Sequence, residues 1–161
     1  METGTELFIH ELKDIYDAEN KLVNALGTMA KKVPHPELQQ AFEQHKKVTE
    51  GHAQRLERVF QLVDRKPSRQ PCHGINGLIE EFSDFVKSES PADDVLNVFA
   101  SGAALKVENY EITAYKLLMK LADQMGLSEA SKLFDQNLKE EEATAQELES
   151  VSLEMGQKLP A

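Results

Sequence analysis

The sequence predicts an all-α fold in which four long amphipathic helices form two antiparallel pairs, joined by a longer connection that carries a short extra helix. Three observations carry this expectation. Apolar residues recur at alternating spacings of four and three along four stretches, the period of a buried helical stripe. Proline and glycine fall between the stretches, at Pro34 and Pro36, within 66–77, at Pro91 and at Gly126. Each stripe also breaks its apolar pattern near the middle with polar residues, which a core tolerates only where partners converge.

The first helix is expected over about 4–32. Thr3 or Thr5 can cap its free amides, and Glu6 sits near the positive end of the dipole. Its stripe is Phe8, Leu12, Ile15, Glu19, Leu22, Leu26, Met29 and Val33, with Glu19 the one acid. Lys31 and Lys32 close it, and Pro34 forbids its continuation. The second helix, about 36–65, starts on Pro36 and returns antiparallel because the connection is short. Its stripe is Leu38, Phe42, His45, Thr49, His52, Leu56, Val59 and Val63. Glu19 stands fifteen residues before Pro34 and Thr49 fifteen after it. At a rise of about 1.5 Å per residue, Glu19 should face Thr49, with His45 and His52 about a turn to either side.

Residues 66–77 read as a connection outside the core. A short helix, about 75–88, follows with Leu78, Ile79, Phe82, Phe85 and Val86. These are more apolar residues than one side of a short helix uses, so it should cover a bundle end or join a homodimer interface. The third long helix, about 91–125, carries Ser101, Ala104, Glu108, Glu111, Tyr115, Leu118, Ala122 and Met125 in its stripe. Gly126 is its expected cap. The fourth, about 128–155, carries Phe134, Leu138, Glu141, Ala145, Leu148 and Ser152. Glu111 and Glu141 are each fifteen residues from Gly126, so the second pair repeats the layout of the first.

A chain of 161 residues suits a single domain spanning 1–161. With 29% charged residues and a net charge of −10, it is a poor partner for nucleic acid or an anionic membrane. One cysteine, Cys72, excludes an internal disulfide and suits a reducing compartment. No apolar run approaches the roughly 20 residues of a membrane span. The start carries acids where a signal peptide needs basic residues. The expectation is a cytoplasmic protein.

Four helices thus bring polar groups to one layer. Glu19, His45, His52, Glu108, Glu111 and Glu141 are the expected metal ligands. Carboxylates and imidazoles converging from facing helices are what a pair of iron or manganese ions in a bundle requires. Tyr16, one turn before Glu19, and Tyr115, one turn after Glu111, are candidate hydrogen-bond donors to those ligands. Glu140, Glu142, Lys46, Lys47, Arg55 and Arg58 are expected to face solvent.

The stretches LKDIYDAENKL (12–22), AFEQHKKVTEGHAQRLE (41–57), KVENYEITAY (106–115) and LKEEEATAQEL (138–148) resemble the YciE/YciF family of bacterial stress proteins, within the ferritin-like superfamily. The resemblance covers nearly the whole chain. It implies a ferritin-like four-helix bundle with one long crossover and a centre of two iron or manganese ions. It also implies ferroxidase, rubrerythrin-like or catalase-like chemistry, with Fe²⁺ and peroxide or O₂ as small-molecule reactants. The superfamily commonly carries Glu-x-x-His on the second helix and often on the fourth. Here those tetrads read Thr49-Glu50-Gly51-His52 and Glu141-Glu142-Ala143-Thr144. Threonines replace one carboxylate and one imidazole, and Glu108 and His45 are placed to compensate. The contrasting expectation is a non-catalytic stress or interaction protein whose polar layer only sets helix register. With no length beyond the fourth helix for the fifth helix of ferritin cages, a small assembly is expected.

Overall fold

A computed structural model describes residues 1–159. Helix α1 (Gly4–Lys32) starts on a reciprocal cap: Glu6 N–H donates to Thr3 Oγ1 at 3.2 Å, and Thr3 N–H to the Glu6 carboxylate at 3.0 Å. It stops where Val33 turns extended before Pro34. Helix α2 (Pro36–Leu62) ends three residues short of Arg65. Asp64 adopts a left-handed conformation, φ 51°. Arg65 N–H then reaches back to Phe60 O at 2.9 Å and Asp64 N–H to Gln61 O at 3.1 Å. These bonds satisfy carbonyls that the helix leaves free. The same closure ends α4 (Asp93–Gln124). There Gly126 takes φ 71°, and Leu127 N–H bonds Ala122 O at 2.9 Å. Helix α5 (Ser128–Gly156) follows at once.

The crossover departs from expectation. Helix α3 (His73–Glu89) starts two residues before Ile75 because its cap is anchored. Cys72 N–H donates to Asp17 Oδ2 at 2.9 Å, and Cys72 is fully buried. A stretch read as a connection outside the core therefore enters it. Helix α4 opens at Asp93, two residues after Pro91, with Asp93 and Asp94 in its first turn, where acids suit the dipole.

The architecture is an all-α bundle, with no strand among the described residues. Helix α1 lies along α2 and α4 along α5; the pairs meet through α2 on α5 and α1 on α4, and α3 packs mainly on α4. No helix among the described residues is long and apolar enough to cross a membrane. The core falls into two clusters. One gathers Phe8, Leu12, Leu56, Phe60, Leu118 and Phe134. The other gathers Leu26, Phe42, Leu96, Ala100 and Leu148. Glu19, His45, Thr49, His52, Glu108, Glu111 and Glu141 lie along their helices between these two sets of residues.

Where α3 crosses α4, Gly74 faces the Tyr110 ring so closely that a Cβ would overlap it, whereas Gly77 faces open space. Gly74→Ala should lower the unfolding free energy by about 1–3 kcal/mol through overpacking. Gly77→Ala should raise it by up to about 1 kcal/mol through helix propensity. Urea denaturation of both variants checks this, and equal stability of the two would contradict the packing described.

Candidate metal centre

Six side chains expected in one layer are all buried: Glu19 from α1, His45 and His52 from α2, Glu108 and Glu111 from α4, and Glu141 from α5. Each sits on the inner stripe of its helix, so the bundle that buries the leucines also buries the acids.

Two groups of three form there. Glu19, His52 and Glu141 make one, His45, Glu108 and Glu141 the other, and within each the ligand atoms lie within 4.8 Å of one another. Glu141 belongs to both. His52 Nδ1 is 2.9 Å from Glu141 Oε1 and 3.3 Å from Glu19 Oε1. His45 Nε2 is 2.9 Å from Glu108 Oε1 and 4.0 Å from Glu141 Oε2. These atoms are close without being aligned as hydrogen bonds. His52 Nδ1, His45 Nε2 and both oxygens of Glu108 and of Glu141 have no hydrogen-bond partner in the protein. Buried polar atoms are ordinarily paired. Atoms crowded together yet aimed past one another are arranged as ligands round a shared cation are, so the donor set fits a metal.

Glu111 is buried in the same layer with both oxygens unpartnered, but it joins neither group. Thr49, expected opposite Glu19, is buried with its hydroxyl unpartnered, and Glu19 meets His52 instead. Thr144 Oγ1 lies 3.4 Å from His45 Nδ1. An imidazole from α2 thus stands beside the α5 position that carries threonine.

A supporting ring surrounds the ligands. Tyr115 donates a short hydrogen bond to Glu19 Oε1, and Asn137 Nδ2–H donates to the Tyr115 oxygen at 2.9 Å. Glu140 Oε2 lies 3.0 Å from His52 Nε2 and also accepts from Arg55 at 2.9 Å. Glu140 holds the ring by Nε2, which turns Nδ1 toward Glu19 and Glu141. Glu140 and Arg55, expected in solvent, are therefore half-buried parts of the site. Tyr16 is not: its hydroxyl donates to Glu57 at 2.7 Å and its ring packs edge-on against Phe60. Position 16 lies about 60° round the helix from position 19, which turns its side chain along α2 and away from the layer.

The model of the family described as a domain of unknown function, DUF892, matches residues 3–158. Protein YciF of Escherichia coli is 38% identical over 145 residues, which span 89% of this chain and 87% of that protein. The chain belongs to the YciF family. The crystal structure of the E. coli stress protein YciF superposes with a TM-score of 0.93 at 36% identity, covering 99% of this chain and 100% of that one. YcfI of Rhodopseudomonas palustris, described only provisionally as a structural protein, gives a TM-score of 0.89 at 32% identity over 92% and 94% of the two chains. A Xanthomonas campestris protein at 19% identity and TM-score 0.76, covering 95% and 93%, shares the fold.

In this YciF-family chain, burial sets the protonation of the layer. It pushes Glu108 and Glu141 up to about 7, raises Glu19, and raises Glu111 well above the carboxylate range, with neighbouring acids adding to the last. Burial lowers His45. Burial also opposes charge on His52, but Glu19 and Glu141 beside it outweigh that and raise it to about 11. In the metal-free protein these protonations couple to stability. Glu108 and Glu141 titrate near 7 when folded and near the ordinary 4.5 when unfolded. The folded state then binds more protons between those values, so these groups make stability fall as pH rises through that window. Urea unfolding of chelator-treated protein should show this slope, and Glu108→Gln with Glu141→Gln should lessen it, with Glu19 and Glu111 supplying the remainder. A slope unchanged in the double variant would contradict the assignment.

Proposed function

We propose that this chain is a di-metal stress protein that oxidises Fe²⁺ or removes peroxide with two iron or manganese ions held in the buried layer. The observation that carries the reading is the pair of Glu/His groups sharing Glu141, with donor atoms crowded but unpaired. The word stress belongs to the name of the E. coli relative and is extended to this chain here. A free buried thiol at Cys72 suits a reducing cytoplasm.

When bound, such ions would supply electron transfer and Lewis acidity. The chain's own residues perform the remaining tasks. Glu19 with His52 would hold one ion and His45 with Glu108 the other, with Glu141 a member of both groups. Tyr115 fixes the Glu19 carboxylate, and Glu140 holds the His52 ring by Nε2. Glu111, buried in the same layer with both oxygens unpaired, would be a further acid available to the centre. The apolar clusters to both sides exclude water from the reacting volume.

Protein prepared without chelator and loaded with Fe²⁺ or Mn²⁺ should hold about two ions per chain. Free metal at about 100 times its Kd should stabilise the fold by about 2.7 kcal/mol for each site filled. Glu141→Ala should abolish that gain, since it removes the ligand common to both groups. Less than about one ion per chain, with an unchanged melting temperature, would favour a layer that serves helix register alone.

A further inference from the structure

Of the six donors, five are 0% exposed and only His45, at 5%, reaches the surface. A centre sealed on every other side can be filled only past that residue or by opening the bundle. His45 lies in a cleft of about 130 Å³ between α2 and α5, whose walls include Ala41, Gln44, Val48, Thr144 and Glu147. A larger groove of about 400 Å³, bounded by Leu22, Ala25, Phe82 and Val107, contains none of the six donors.

From this geometry we infer that the α2–α5 cleft is an admission site for a divalent cation, with Glu147 binding it at the mouth and His45 passing it to Glu108 and Glu141. The inference rests on the proposed metal centre. Glu147 is exposed and is the one charged residue lining the cleft; no lysine or arginine opposes it. It is also near enough for its charge to act on His45. Thr144 is the next oxygen inward, 3.4 Å from His45 Nδ1. The other ring nitrogen, Nε2, already faces Glu108 and Glu141 at 2.9 and 4.0 Å. One imidazole therefore spans the boundary between cleft and layer. The donors run inward as carboxylate, hydroxyl, imidazole and two carboxylates, a graded series for a cation shedding water. A neutral oxidant would gain nothing from the acid at the mouth.

The test is stopped-flow uptake of Co²⁺, followed by its visible absorption, into full-length metal-free protein. Glu147→Lys reverses the charge at the mouth, and Ala41→Phe narrows the cleft without touching a donor. Glu142→Lys makes the same change of charge on another face of α5, where Glu142 pairs with Lys116. Glu147→Lys should slow uptake by about tenfold or more, because charge at a cleft mouth focuses counter-ions, with Glu142→Lys within about twofold of wild type. Ala41→Phe should also slow it, and the final Co²⁺ content of all variants should equal that of wild type. Wild-type rates for both Glu147→Lys and Ala41→Phe would overturn the route and leave the centre standing, as would equal slowing by Glu147→Lys and Glu142→Lys. A wild-type protein that takes up no Co²⁺ would overturn the metal centre itself, and the route with it.

Discussion

Four carboxylates, on Glu19, Glu108, Glu111 and Glu141, share a layer that excludes solvent, and only two imidazoles stand among them. At an effective dielectric of about 20, two like charges about 4 Å apart repel by about 4 kcal/mol. Four such groups cannot all be ionised without cations. The metal-free protein meets this constraint with protons, which is why burial raises each of these acids. A pair of divalent ions would meet it with positive charge and turn the same cost into binding energy.

The fold is built to keep the layer closed. Apolar clusters lie to both sides, and Tyr115, Asn137, Arg55 and Glu140 form a connected ring of hydrogen bonds from the layer to the surface. A polar layer also pins helix register, since sliding one helix by a turn would set an acid against a leucine. Register alone accounts for burial but not for orientation. A network kept only to specify the fold would be internally hydrogen-bonded, as the ring is. Inside it, His45 Nε2, His52 Nδ1 and both oxygens of Glu108, Glu111 and Glu141 are not.

Much of this was legible in the sequence because helices have a fixed period and the turns are marked by proline and glycine. The stripes containing Glu19, His45, His52, Glu108, Glu111 and Glu141 required only counting, and all six are buried. Side-chain direction was less legible. Tyr16 and Glu19 are three residues apart and diverge enough for one to meet Glu57 and the other His52. Glu140 precedes Glu141 by one position, and periodicity assigned it to solvent. Its link to His52 Nε2 depends on how closely α5 approaches α2, which no stripe encodes. Cys72 was misplaced for a related reason. Its burial comes from long-range contacts, of its N–H with Asp17, itself a buried acid that the stripes do not include, and of its thiol with the Tyr110 hydroxyl.

The central claim is that the unpaired donors face cations. Anomalous diffraction at the iron or manganese edge, on crystals of metal-loaded protein, tests it most directly. The account predicts two peaks per chain, one bounded by Glu19, His52 and Glu141, the other by His45, Glu108 and Glu141. A map with no peak in the layer, and with the acids hydrogen-bonded to one another through shared protons, would contradict it.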